Sequence, residues 1–371
     1  MSDKSFPKII IDEDIPYIRG VLEDYARVCY FPAKAISQDV VKDADGLFIR
    51  TRTSCNRELL AGSSVKFIGS ATTGKDHVDE AFCKESGIRF IHAPGCNAGS
   101  VKQYVAAALS VIMKNTDCSP EQLTLGIVGV GQIGSRVRKM ASHLGFQVLI
   151  NDPPRERSEG LSGFSSLIDV LEHSDIITVH VPLSDHGQDA TFHMINDDFL
   201  RKMKSHSYLV NTSRGPVADT GALKMHADRL HYVLDVWENE PDIDNALLRK
   251  TFLATPHIAG YSVDGKANAS GTVIREAAKY FGFPLENWKP DIPEPAHEKI
   301  EADSSNKMCD VYDAILQTYD IRNDEKKLRD NPAHFEQLRN GYPKRWEFEN
   351  YRIESQRPRC KTLFNKLGFK K

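Results

Sequence analysis

Short apolar runs bounded by polar turns recur along the whole chain. Lys8–Ile11, Gly46–Arg50, Val65–Gly69 and Ile88–His92 read as buried strands, and the stretch from Tyr17 to Tyr25 carries helical spacing. Strand and helix in alternation predict a small α/β unit with a parallel sheet over the first ~95 residues. Ser100 to Lys114 is a strongly apolar helical segment. It leads into a strand, Leu123 to Val128, then a glycine-rich turn, then a helix with apolar positions at Ile133, Val137, Met140, Ala141 and Leu144. Further strands follow at Gln147–Asp152, Asp175–His180, Ser207–Asn211, Tyr232–Asp235 and Phe252–Thr255. Residues from about 100 to about 260 therefore predict one doubly wound sheet, which binds ligands at its carboxyl edge.

Beyond Pro284 the texture changes. Pro290, Pro293 and Pro295 mark a linker, Val311, Ile315 and Tyr319 share a helical face, and Trp346–Glu349 and Tyr351–Ile353 alternate like strands. These predict a third, smaller α+β unit. Its ~80 residues are marginal for an independent core, so it packs on another subunit or docks on its own chain.

At 371 residues, with 40% hydrophobic and 27% charged, the chain has room for two or three ordinary globular domains. A net charge of −3 predicts no general attraction to nucleic acid or to an anionic membrane. The seven cysteines are scattered and form no C-x-x-C pair, which suggests neither a metal site nor a disulfide framework and favours a reducing compartment. The segment Met1–Pro7 carries no signal-peptide core, and the longest apolar runs, such as Val105 to Met113, are too short to span a bilayer. The expected location is the cytoplasm.

The chemistry gathers at strand ends. Gly129, Gly131 and Gly134 have the G-x-G-x-x-G spacing. The first permits a tight turn, the second lets backbone approach a pyrophosphate, and the third lets helix and strand pack closely. Asp152 ends the next strand, where an acid binds a ribose 2′-hydroxyl and repels a 2′-phosphate; that favours NAD, while Arg155 leaves NADP open. Arg214, in Asn211-Thr-Ser-Arg-Gly215, suits a bidentate grip on a carboxylate. In Asp235-Val-Trp-Glu-Asn-Glu240-Pro241 a carboxylate can orient an imidazole, while Glu238 and Asp242 read as solvated. His257, framed by Pro256 and Gly260, can exchange a proton with a hydroxyl that loses hydride. Arg50, Thr51, Arg52 and the Gly74–Lys75 turn are candidate donors to a phosphate.

In their order along the chain, Gly129–Gly134, Asn211–Gly215, Asp235–Pro241 and Thr255–Tyr261 resemble the signatures of the D-isomer-specific 2-hydroxyacid dehydrogenases. Ile10–Tyr17, Ala71–Asp79, Ala93–Ala98, Asp152–Arg155 and His257–Lys266 resemble a narrower branch that acts on a phosphorylated 2-hydroxy acid. Tyr319–Arg322, Phe335–Arg339 and Asn365–Phe369 continue that likeness more weakly. Thr51 stands where relatives usually carry Ser, Val181 where they often carry Thr, and Pro216 is unusual after Arg214-Gly215.

The resemblance implies an NAD-binding Rossmann domain over residues 99–261. It implies a flavodoxin-like substrate domain from 1–98 and 262–289, and a C-terminal α+β dimerisation domain over 290–371, hence a homodimer. It implies Arg214, Glu240 and His257 as the catalytic set, with His257 giving or taking the proton. Gly129, Gly131, Gln132, Ile133, Gly134, Asp152, Thr212, Ser213, Asp235 and Gly260 would hold the dinucleotide, and Thr51, Thr72, Tyr261 and Arg50 the substrate. The alternatives are another dehydrogenase of this family, for example one acting on 3-phosphoglycerate, and a non-catalytic protein that senses NAD.

Overall fold

The computed structural model describes residues 6–160, 163–302, 309–355 and 357–370, with the side chains of Cys309 and Asp310 also outside the description. Met1–Ser5 therefore lie outside the described residues. The chain divides into two compact units, one from Met1–Asn97 and Ser262–Pro293, the other from Ala98–Tyr261 and Glu294–Lys371.

The first unit holds a wholly parallel sheet of β1 (Lys8–Asp12), β2 (Arg27–Phe31), β3 (Gly46–Ile49), β4 (Phe67–Ser70) and β5 (Arg89–Ile91), in the order β2-β1-β3-β4-β5. This is the flavodoxin-like order. Both faces are covered, which is why the strands are apolar throughout rather than alternating. Ile9, Ile11, Phe48 and Phe67 enter one core with Val273, Ile274, Ala277 and Ala278 of the helix Val263–Phe281; Ile10, Leu47, Ile49 and Ile68 enter the other. Gly69 makes that helix contact possible, because a Cβ there would sit 2.7 Å from Val273 Cγ1.

The stretch from Tyr17 to Tyr25 is not a helix but a series of turns. Tyr17 and Gly20 take positive φ (63° and 84°), which interrupts helical propagation, although Ile18 and Leu22 are buried at a helical spacing. Strand β2, half-buried at the sheet edge, went unread because its apolar alternation is weak.

The second unit holds β6 (Thr124–Val128), β7 (Gln147–Asn151), β8 (Ile176–Val179), β9 (Tyr208–Asn211), β10 (His231–Leu234) and β11 (Leu253–Ala254), all parallel, in the order β11-β10-β9-β8-β6-β7. The order reverses at β6, which has β7 on one side and β8 on the other. The carboxyl ends there form the switch-point crevice in which such sheets take nucleotides.

The helix Ala98–Lys114 is buried from Ala98 to Met113 on every side. It packs on the sheet with Leu125 and Ile127, and on the C-terminal segment with Tyr312, Ile315 and Phe364, in one continuous core. The C-terminal segment thus docks on its own chain. Within it β12 (Lys299–Glu301) pairs in parallel with β13 (Arg352–Glu354). Val311 and Ile315 lie on the buried side of the helix Cys309–Thr318, with Tyr319 just beyond its end. Trp346–Glu349 forms no strand: Phe348–Asn350 is a single 3-10 turn that buries Phe348 in the shared core.

Candidate functional site

The glycine-rich turn after β6 explains its own spacing. Gly129 has φ +85°, and a Cβ there would lie 2.7 Å from the His180 carbonyl. At Gly134 a Cβ would come within 2.0 Å of the Gly129 carbonyl, so only glycine lets the helix Gln132–Leu144 start this close to the strand. At Gly131 nothing lies within 4 Å. That open cradle faces the first turn of the helix, where Gln132, Ile133 and Gly134 carry N–H groups that have no intrahelical acceptor; a pyrophosphate fits there.

Asp152 is tied into the same turn. Its Oδ2 accepts from Val130 N–H at 2.7 Å, and its Oδ1 accepts from Arg155 N–H at 3.1 Å, capping the helix Pro153–Glu159. Each carboxylate oxygen keeps further acceptor capacity for ribose hydroxyls. The Arg155 guanidinium is committed to Glu159, at 2.7 and 2.9 Å, and to the Val130 carbonyl. A 2′-phosphate would meet the Asp152 charge and an arginine already paired. Asp152→Asn is expected to lower kcat/KM for NAD about 10- to 100-fold, the worth of a charged acceptor. Comparing KM for NAD and NADP in the variant checks it.

After β9 the Asn211 side chain shapes the next turn. Its Oδ1 accepts from Ser213 N–H at 3.0 Å and Ser213 Oγ at 2.7 Å, and its Nδ2 donates to the Arg214 carbonyl at 3.2 Å. Gly215 is required here, since a Cβ would strike the Trp237 carbonyl at 1.8 Å. Pro216 sits in the 3-10 turn Gly215–Val217, where its missing N–H costs nothing, and its carbonyl accepts from His193 N–H. Glu238 is not solvated. It meets His193 Nε2 at 2.6 Å and caps the helix Thr220–His226 through Thr220 N–H at 3.0 Å. Burial raises its carboxyl, but the bonds from Thr220 and His193 outweigh that and hold it below the usual range.

Thr212 faces His180, whose Nδ1 lies 3.2 Å from the hydroxyl while Nε2 lies 3.0 Å from Thr178 Oγ1. Burial pushes the His180 ring down to about 3, so it stays neutral in the fold. The unfolded chain charges near pH 6.5 and the folded one does not, so stability present above pH 6.5 drains away as pH falls toward 3. Full burial would cost ~2 kcal/mol between pH 6.5 and pH 5; the partial exposure of the residue reduces this to ~1 kcal/mol. His180→Asn is expected to remove that slope in urea melts at the two pH values.

The loop after β11 carries the densest chemistry. Asp235, only 1% exposed at the end of β10, takes three bonds: Thr255 Oγ and Ile258 N–H on Oδ1, both at 2.7 Å, and Ala259 N–H on Oδ2 at 2.9 Å. Tyr104 Oη lies 2.7 Å from Thr255 Oγ1. The Thr255 hydrogen goes to the carboxylate, so Tyr104 is the donor in that pair. Burial raises the Asp235 carboxyl; His257, Thr255 and the two N–H groups offset part of it. His257 itself has φ +57°, a costly conformation for a non-glycine residue, held by its N–H to the Asp235 carbonyl at 2.8 Å.

His257 Nδ1 lies 2.6 Å from Glu240 Oε2, and Glu240 Oε1 accepts from Trp237 N–H at 2.9 Å. An ionised carboxylate can only accept, so Nδ1 carries the hydrogen and Nε2 is the basic nitrogen. Gly260 and Tyr261 follow in the same loop. Tyr261 Oη accepts from Arg339 Nε at 3.2 Å, and Arg339 Nη1 lies 3.7 Å from Glu240 Oε2. Arg339 belongs to the C-terminal segment, and its sequence neighbourhood gave no chemical signal.

The first unit gathers a set of its own. Ile49 pairs with Ser70, so Arg50-Thr51 and Ala71-Thr72 leave adjacent strand ends. Arg50 Nη1 donates to the Asp14 carbonyl at 3.1 Å, and Arg52 lies 3.6 Å from the Asp14 carboxylate. Thr72 Oγ1 donates to the Gly74 carbonyl at 2.9 Å and meets Ser70 Oγ at 2.7 Å; Thr51 is exposed. Lys75 pairs with Glu80 at 2.6 Å.

Known proteins share much of this sequence. Residues 108–259 fit the family described as D-isomer specific 2-hydroxyacid dehydrogenase, NAD binding domain. An erythronate-4-phosphate dehydrogenase of Bacteroides fragilis is 45% identical over 351 residues, covering 93% of this chain and 99% of that protein. The chain belongs to the D-isomer-specific 2-hydroxyacid dehydrogenases.

A second relative in this family, an erythronate-4-phosphate dehydrogenase of Escherichia coli, is 36% identical over 369 residues, covering 98% of each chain. The D-lactate dehydrogenase of Aquifex aeolicus, solved with NAD and lactic acid, aligns with a TM-score of 0.62 and 27% identity, covering 77% of this chain and 98% of that one. Residues 292–368 match a domain of unknown function, DUF3410. As a member of this family the protein is an NAD-dependent dehydrogenase. Among the described residues no helix is long and apolar enough to cross a membrane, and no group of three His, Cys, Asp or Glu is placed to hold a metal.

Proposed function

We propose that this dehydrogenase oxidises C2 of 4-phospho-D-erythronate to 2-oxo-3-hydroxy-4-phosphobutanoate, in the biosynthesis of pyridoxal 5′-phosphate. The observation that carries the reading is the Glu240–His257 pair, 2.6 Å apart, in a chain that matches named relatives almost end to end. NAD, when bound, supplies the hydride acceptor. Nε2 of neutral His257 takes the C2 hydroxyl proton, and Glu240 stabilises the imidazolium that forms. Arg214 holds the substrate carboxylate and the negative charge that develops on the C2 oxygen. Arg50, Thr51 and Thr72 offer a guanidinium and two hydroxyls that suit a phosphorylated acid, and Tyr261 a further hydroxyl. Asp152, Thr212, Ser213, Asp235 and Gly260, with the glycine-rich turn, are assigned to the dinucleotide side.

In the cell the protein is proposed to work as a cytoplasmic homodimer. The likeness of residues 290–371 to the family's dimerisation domain supports this reading, and sedimentation at about twice the 41.6 kDa chain mass is the expected result. The functional test is a substrate panel. Purified protein with NAD and 4-phospho-D-erythronate should form NADH with kcat/KM about 100-fold or more above that for 3-phosphoglycerate or D-lactate, the discrimination expected when a site's polar donors lose their partner. Equal rates on 3-phosphoglycerate would assign the other substrate.

A further inference from the structure

We propose that the C-terminal segment is a working part of the catalytic site, with Arg339 as a positioning residue for Tyr261 and for the Glu240–His257 pair. The inference rests on the functional reading above only for the identity of the reaction; its geometry lies within one compact unit.

Arg339 sits on the short helix Phe335–Asn340. Phe335 is 1% exposed and, with Leu338 beside it, packs into the core that also holds Val217, Leu234 and Trp237. The helix is thus anchored on the sheet whose strand ends bear Arg214 and Glu240. From that anchor the guanidinium reaches two residues of the site. Nε donates to Tyr261 Oη at 3.2 Å, and Nη1 stands 3.7 Å from Glu240 Oε2, the oxygen that also meets His257 Nδ1.

A phenol that accepts from a cation becomes a stronger donor, so Arg339 both aims and polarises the Tyr261 hydroxyl. At Glu240 the guanidinium stands beside the oxygen that meets His257 and so helps fix the plane in which the imidazole is gripped. With Trp237 N–H on the other oxygen, Glu240 is held at both ends.

A second arginine of the same segment works underneath. Arg345 is 5% exposed, yet its Nη2 reaches the Ile258 carbonyl at 3.1 Å and the Ala259 carbonyl at 2.7 Å, and meets Ser100 Oγ. Its guanidinium lies over the Tyr319 ring at 4.3 Å and the Tyr342 ring at 5.6 Å, while Tyr342 stands edge-on to Tyr261 at 6.0 Å. Among the described residues its Nε and Nη1 have no hydrogen-bond partner. Such a cation is costly to bury and is tolerated where it holds something in place. What it holds is the catalytic loop: Asp235 takes the N–H groups of Ile258 and Ala259, and Arg345 takes their carbonyls. An exposed ion pair alone would do little; here one segment touches the side chains of the site and the backbone beneath them.

The test is steady-state kinetics of Arg339→Gln, Arg339→Lys, Tyr261→Phe and the double variant R339Q/Y261F, beside thermal melts. Arg339→Gln is expected to raise KM for the phosphorylated acid about 10-fold and to lower kcat about 10-fold, with KM for NAD within about twofold and an unchanged melt. Arg339→Lys is expected to restore most of kcat, because charge beside Glu240 returns, but little of KM, because the bond to Tyr261 needs the guanidinium geometry. The double variant is expected to show no further rise in KM over Tyr261→Phe. Turnover by Arg339→Gln within twofold of the parent, or KM effects that add fully in the double variant, would overturn the proposal while leaving the reaction in place. A parent enzyme that oxidises no 2-hydroxy acid overturns the functional reading and this inference with it.

Discussion

His257→Gln will cost this dehydrogenase about three orders of magnitude in kcat and leave its affinity for NAD within about twofold. The glutamine side chain can still reach Glu240, so the loop keeps its bond, but it has no titratable nitrogen at the position of Nε2. The loss is therefore that of proton transfer alone. Glu240→Gln should fall between, at about 10- to 100-fold, because the imidazole remains but its charged form loses a charged partner at 2.6 Å. Single-turnover measurement of NADH formation separates the two effects from product release. Equal chemistry rates in His257→Gln and the parent would remove His257 from the reaction.

Asp235→Asn will be the most damaging isosteric change in the fold, at about 2–4 kcal/mol of stability and about 100-fold in kcat. All three partners of this buried carboxylate are donors: Thr255 Oγ, Ile258 N–H and Ala259 N–H. An amide must turn its own NH2 toward one of them, and no neighbouring acceptor compensates among the partners seen. The loop then loses the peg that keeps His257 at φ +57°. Urea unfolding and kcat in the same preparation check both halves. A variant with full stability and low kcat would show that Asp235 acts on the dinucleotide side alone and is not the peg of the loop.

The legible parts of the sequence were those that use short-range rules. The glycines at 129, 131 and 134 each answer a local steric demand, and the buried parallel strands are continuous apolar runs with no competing period. The candidate residues Arg214, Glu240 and His257 stood out through their motifs, with an expected role for each; the bonds that position them did not. Asp235 and Glu240 sit in one acidic stretch, and only the fold shows that one binds the loop backbone and the other the imidazole. Glu238 read as solvated because its partners His193 and Thr220 are distant in sequence.

The false helix at Tyr17–Tyr25 shows the limit of periodicity. Buried residues at helical spacing also arise when turns lay a chain across a sheet, and two positive φ values decide between them. Arg339 lies in a stretch that carries the family likeness and Arg345 in none, and neither had a signature of its role, since both act on residues ~80 positions away.

The order in which these parts leave the ribosome has its own consequence. The helix Val263–Phe281, which covers one face of the first sheet, is made roughly 190 residues after β4. At ~5–20 residues per second that face waits some ~10–40 s for its cover. The arginines that fasten the catalytic loop come later still. A nascent chain that has already finished the glycine-rich, arginine and histidine motifs, through Tyr261, therefore still lacks the proposed clamp on that loop. The proposed clamp of Arg339 and Arg345 forms only once the segment that carries them docks, so a chain halted short of it would hold the glycine-rich and histidine motifs without that clamp.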